Sequence, residues 1–171
     1  MPKSTRRVVT GHDAGGRSVV LSDSSPPQHH TMHGMGVGAD FHEMWNDADA
    51  IPELTPGVAR EPNERAFTIM PASGHLLRIL DVYPLKDGGT RTAMHRTRTL
   101  DYVVVIEGEL VLILDDSEVT LKPGDVVVQR GTDHAWENRS DTIARAAFFH
   151  IDARFSGELL AQLPKPLVLM T

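Results

Sequence analysis

The chain has 171 residues, 40% hydrophobic and 23% charged, with 17 Lys+Arg against 23 Asp+Glu and no Cys. That size and balance predict one soluble globular domain, able to bury a core without covalent staples. Without Cys, a disulfide scaffold, a thiolate zinc site and a cysteine nucleophile are excluded.

The formal charge of -6 argues against a nucleic-acid partner, which calls for a basic patch. No apolar run approaches the roughly 20 residues of a membrane span, so no membrane partner is expected. MPKSTRRVV carries positive charge but no apolar segment follows it, as a secretory signal would require. A cytoplasmic location is the expectation.

In chain order, Arg7 to Thr10 and Ser18 to Ser22 flank an Asp/Gly-rich turn and predict a hairpin. Residues 23–40 are Pro, Gly, His and Ser without periodicity, and predict a long exposed connection. Its His29, His30 and His33 match no metal-ligand spacing and are expected as surface histidines. A lid carrying Met32, His33 and Met35 over a pocket is the alternative. Phe41 to Trp45 predicts a strand, with Trp45 in the core or at a subunit contact, and residues 46–65 return to loop chemistry with three prolines.

Strands follow at Leu76 to Tyr83, Tyr102 to Ile106, Leu110 to Leu114, Glu118 to Leu121, Val126 to Gln129 and Ala144 to Ile151. Glu107-Gly108-Glu109 and Lys122-Pro123-Gly124-Asp125 supply tight turns. Only Gly157 to Leu163 has helical character, capped by Ser156 and stopped by Pro164. Short strands spaced by roughly 8–12 residues, with no helices between them, predict an antiparallel sandwich or barrel rather than a parallel sheet.

Chemistry concentrates between Gly89 and Asn138. Residues two apart in a strand share a face, so His95, Thr97, Thr99 and Asp101 are expected on one face that continues into Val103 and Val105. Arg96 and Arg98, of opposite parity, are expected to face solvent or a partner subunit, and Tyr102 to pack between sheets. His134 and Trp136 share parity, placing an aromatic wall beside an imidazole. His150 follows the parity of Ala144, Ala146 and Phe148, and enters the interior if that face points inward.

Gly89, five residues, His95-x-Thr97, three residues, Asp101, six residues and Gly108 form one motif. Gly124 leads through Gln129-Arg130-Gly131 to His134 and Asn138 in a second. These resemble the two motifs of the cupin superfamily, in particular its small RmlC-like members. In this chain Thr97 stands for the second motif-one His, Asp101 for the Glu and Gln129 for the motif-two Pro, with the spacing before Gln129 one residue short.

The resemblance implies an all-β double-stranded β-helix, or jelly-roll barrel, with an N-terminal hairpin extension and one short C-terminal helix. Residues 66–155 would form the barrel and 156–171 the helix and tail. Residues 1–65 would supply strands and long loops packed on the barrel or on a partner subunit, and a homodimer is expected. It further implies a small-molecule enzyme acting on an organic, aromatic or keto/enol substrate.

His95, Asp101 and His134 are the positions that carry over as metal ligands and as catalytic groups, for a divalent Fe, Mn, Ni or Zn ion. Two imidazoles and one carboxylate match the ligand count of non-haem iron oxygenases, whereas a Thr97 hydroxyl is a poor ligand. Lyase or isomerase chemistry with the ion as Lewis acid is equally consistent. The alternatives are a metal-free barrel in which a His/Asp pair moves protons, and a binding module without turnover. Thr97, Arg91, Trp136, His150 and Val103 are the expected substrate contacts, Arg91 through bidentate bonds to a carboxylate. No phosphate-binding loop is present, so no nucleotide cofactor is expected.

Overall fold

The computed structural model describes residues 4–32, 38–57, 66–70, 73–165 and 169. Among the described residues there are eleven strands and one α-helix: β1 Arg7–His12, β2 Ser18–Ser24, β3 Gln28–Met32, β4 Ala39–Asp47, β5 His75–Val82, β6 Thr99–Glu107, β7 Leu110–Ile113, β8 Glu118–Leu121, β9 Val126–Arg130, β10 Ala135–Glu137, β11 Ala144–Asp152 and α1 Gly157–Gln162. Every pairing between strands is antiparallel. A six-stranded sheet runs β3-β4-β5-β11-β6-β9, a three-stranded sheet runs β10-β7-β8, and β1-β2 form a separate hairpin. The expected all-β jelly roll, with its hairpin and short helix, is the architecture found. Among the described residues no helix is long and apolar enough to cross a membrane.

The two larger sheets face each other across one apolar core. Phe41, Val82, Val103, Val105, Ala146 and Phe148 come from the six-stranded sheet, and Leu110, Leu112, Leu121 and Trp136 from the other. Each fully buried side chain of this size contributes about 1.5–3 kcal/mol. Alternation is strict along β6: Thr99, Asp101, Val103 and Val105 are buried, while Tyr102 and Ile106 are exposed. Gly108 turns the chain with φ +70°, and a Cβ there would meet the Ile143 carbonyl oxygen at 2.7 Å. A glycine is therefore required where β6 returns into β7.

Three expectations are corrected. Part of the connection expected at 23–40 is strand β3, whose His29 and His30 lie opposite His42 and Phe41. Its polar sequence, Gln28-His29-His30-Thr31, shows no apolar alternation, so only the pairing with β4 reveals it. Tyr102 points outward rather than between sheets. Arg96 is buried in an ion pair with Asp133 instead of facing solvent, because the His95–His134 bridge brings their two segments side by side. Arg98 is half-exposed and pairs with Asp152. Ser156 caps α1 by accepting the Leu159 amide. His33 and Met35, named above as lid residues, lie outside the described residues.

Candidate functional site

The open end of the barrel holds a cavity of about 190 Å³. An apolar cavity of roughly 150 Å³ accommodates benzene, so this space suits one substituted ring. Phe41, Leu80, Val103, Trp136 and Phe148 make its apolar walls, and Ile69 and Met70 of the segment before β5 add to them. Into this lining come His95, Thr97, Asp101, Gln129, His134 and His150. Seven of the expected site residues, His95, Thr97, Asp101, Val103, His134, Trp136 and His150, thus share one space. Arg91 does not: it is exposed and outside the lining, and its charge acts on Glu118.

Each side chain has a local reason for its place. His95 and His134 face each other because the backbone bonds His95 N to His134 O and His134 N to His95 O, each at 2.9 Å. Their ring centroids are 4.1 Å apart. Each ring is fixed by a nearby carbonyl, since His95 Nδ1 donates to Ala93 O at 2.8 Å and His134 Nδ1 to Thr132 O at 3.0 Å. A proton on each Nδ1 leaves the lone pair of the neutral ring on Nε2. Burial pushes His95 below its ordinary value. Burial, and then the neighbouring His95, bring His134 down to about 4.

Asp101 on β6 and His150 on β11 are register partners, and His150 Nδ1 donates to Asp101 Oδ1 at 2.9 Å. Gln129 on β9 is opposite Asp101, and its Nε2 stands 2.7 Å from His134 Nδ1 and 2.8 Å from His134 Nε2. Thr97 accepts the Thr99 hydroxyl at 2.8 Å.

These bonds decide how well the donor set suits a metal. A three-ligand site needs His95, His134 and Asp101 to converge with free lone pairs. Here the Gln129 amide nitrogen packs against both ring nitrogens of His134, and Asp101 Oδ1 accepts from His150. Among the described residues no group of three His, Asp or Glu side chains is arranged to hold an ion. As arranged here, His95, Asp101 and His134 do not form a converging three-ligand set.

Gln129 and Arg78 are two polar cavity residues that escaped the sequence reading. Gln129 occupies the place of the motif-two Pro, and that replacement by an amide was its signal. Arg78 is the lone charge at an inward position of β5, between Leu76 and Leu80, a position that calls for a counter-ion. Its Nε lies 3.0 Å from Glu43 Oε1. Its Nη1 and Nη2 donate to Ile69 O at 2.5 Å and Thr68 O at 3.0 Å. The guanidinium thus ties the segment that carries Ile69 to the barrel wall.

Residues 82–151 match a family model described as a cupin domain. Phomopsin biosynthesis cluster protein D of Diaporthe leptostromiformis is 36% identical over 167 residues, covering 92% of this chain and 85% of that protein. A cupin-domain-containing oxidoreductase of Aspergillus ruber is 34% identical over 137 residues, 77% of this chain and 63% of that protein. Among solved structures, an RmlC-like cupin family protein of Methanocaldococcus jannaschii with a double-stranded β-helix fold overlaps 46% of this chain and 70% of its own, at 16% identity and a TM-score of 0.41.

Proposed function

Because this chain belongs to the cupin family, we propose that it is a small-molecule enzyme that moves protons on an apolar organic substrate without a metal ion. The observation that carries this reading is the 2.9 Å bond between His150 Nδ1 and Asp101 Oδ1 at the cavity wall. That bond places the His150 proton on Nδ1 and leaves the lone pair on Nε2. A C–H beside a carbonyl, or an enolic O–H, would transfer its proton to Nε2, and Asp101 would stabilise the imidazolium that forms. The same proton returns to a different carbon in an isomerisation, or leaves with a hydroxyl as water in a dehydration. The apolar walls exclude water and strengthen the charge interactions inside.

His95 and His134, both neutral, flank the site as hydrogen-bond acceptors rather than as ligands. Two relatives supply context: one carries the name of a biosynthesis cluster protein and another that of an oxidoreductase. Redox chemistry is the competing reading, and one experiment separates the two. Protein purified without a His tag is incubated with phenylacetone and related aryl ketones in D₂O, and deuterium incorporation is followed by NMR with and without EDTA. Exchange that ignores the chelator and falls about 10²–10⁴-fold in His150→Gln supports the proposal. Exchange restored only by added Fe, Mn, Ni or Zn, or undiminished in His150→Gln, overturns it.

A further inference from the structure

Residues 66–70 precede β5 and belong to no strand or helix. Ile69 and Met70 of this strap line the cavity, and Met70 is buried. The strand walls of the cavity are held by backbone ladders. The strap has no such support. Among the described residues, its only hydrogen bonds are those that the Thr68 and Ile69 carbonyls accept from Arg78.

Arg78 is itself fixed from several sides. It is 3% exposed, and its Nε lies 3.0 Å from Glu43 Oε1. Its guanidinium carbon stands 5.3 Å from the Phe41 ring centroid and 5.7 Å from that of Phe67. Phe67, in the strap, stacks in turn on His30 of β3 at 4.1 Å. One side chain of β5 thus gathers two consecutive carbonyls and one ring of the strap. A buried ion pair seldom stabilises a fold more than apolar residues of the same volume would, so stability alone does not account for this one. The planar guanidinium fork does, because it donates in several fixed directions at once and so reaches a stretch of backbone that no ladder holds.

We propose that Arg78 is a positioning residue that sets the size limit of the cavity: it holds Ile69 and Met70 in the wall, so that one aromatic ring is admitted and two fused rings are not. This rests on the cavity being the substrate site, as in the proton-transfer reading. With the strap in place the cavity measures about 190 Å³, close to the roughly 150 Å³ of a cavity that takes benzene. A second fused ring would have to displace the strap, and forcing extra volume into a packed wall is unfavourable.

The test compares anisole with 2-methoxynaphthalene, which share a substituent and differ by one ring. Binding is measured by calorimetry on the full chain, with thermal unfolding as a check of each variant. The wild type is expected to bind anisole at least about tenfold more tightly. Arg78→Met combined with Glu43→Gln removes the tie without leaving a buried charge unpaired. In that double variant the preference for anisole should fall to within about twofold. Arg78→Lys keeps the charge beside Glu43 but lacks the fork that reaches both carbonyls, and should lose preference in the same direction. Met70→Ala leaves the tie intact, opens the wall directly and should admit the larger probe. A wild type without a size preference, a double variant or Arg78→Lys that keeps it, or a Met70→Ala that still excludes the larger probe, overturns the inference. Absence of deuterium exchange in a wild type that still prefers anisole would overturn the proton-transfer reading and leave this inference standing.

Discussion

Two histidine–aspartate pairs sit on opposite faces of the same six-stranded sheet. His150 and Asp101 face the cavity, 2.9 Å apart, with Phe148 stacked beside the imidazole at 6.1 Å. His42 and Asp81 lie on the outer face, 3.2 Å apart, and there Arg145 adds two bonds of 2.6 Å to the same carboxylate. Burial pushes Asp81 up, but the bonds and charges of Arg145 and His42 outweigh it and hold the carboxyl down at about 2. No guanidinium bonds Asp101 among the described residues. The difference is one of compensation: the outer carboxylate is locked into an ion-pair network, whereas the inner one has an imidazole alone and can respond to a proton arriving on that ring.

Removing the carboxylate charge on each face sharpens this contrast most. Asp101→Asn should lower the exchange rate about 10²–10⁴-fold with the fold retained. Asp81→Asn should leave the rate of the folded fraction within about twofold, by NMR exchange on both variants. Comparable loss from both would erase the distinction between the faces. Next in size, Arg145→Met leaves Asp81 buried without its cation and should destabilise the chain by about 3 kcal/mol, read from urea unfolding. A change under about 1 kcal/mol would mean that the outer network is not an ion pair of this weight.

The smallest effects are in pH. The His134 imidazole titrates at 6.5 when unfolded and at about 4 when folded. Between those values the unfolded chain holds more protons, so stability rises with pH across the window and falls as acid is added. His134→Gln should flatten the slope between pH 4 and 6.5, measured by urea unfolding at several pH values. Asp81, depressed from 3.8 to about 2, adds stability above pH 4 that disappears as pH falls toward 2. Arg145→Met should reduce this second loss and leave the first unchanged.

Much of the inner face was legible beforehand. His95, Thr97, Asp101 and Val103 share parity, and a side-chain period of two is a local property of the extended backbone. The two motifs and their spacing identified the barrel and placed His134 and Trp136 inside it. The shortfalls came from contacts between distant segments. Strand β3 has no apolar alternation and exists through its pairing with β4. Arg96 obeys parity yet is buried, because a bridge elsewhere supplies Asp133.

What the amino-acid order alone determined, then, is which side chains enter the barrel: alternation, glycine turns and motif spacing are short-range constraints that any extended chain of this sequence must meet. Which neighbour each side chain takes was decided only by closure of the fold. Asp101 meets His150 across 49 positions because β11 inserts between β5 and β6, and Gln129 stands opposite Asp101 because β9 pairs with β6. Those cross-strand registers turn a cupin ligand pattern into a hydrogen-bonded pair, since hydrogen-bond partners depend on long-range geometry that a period of two does not encode.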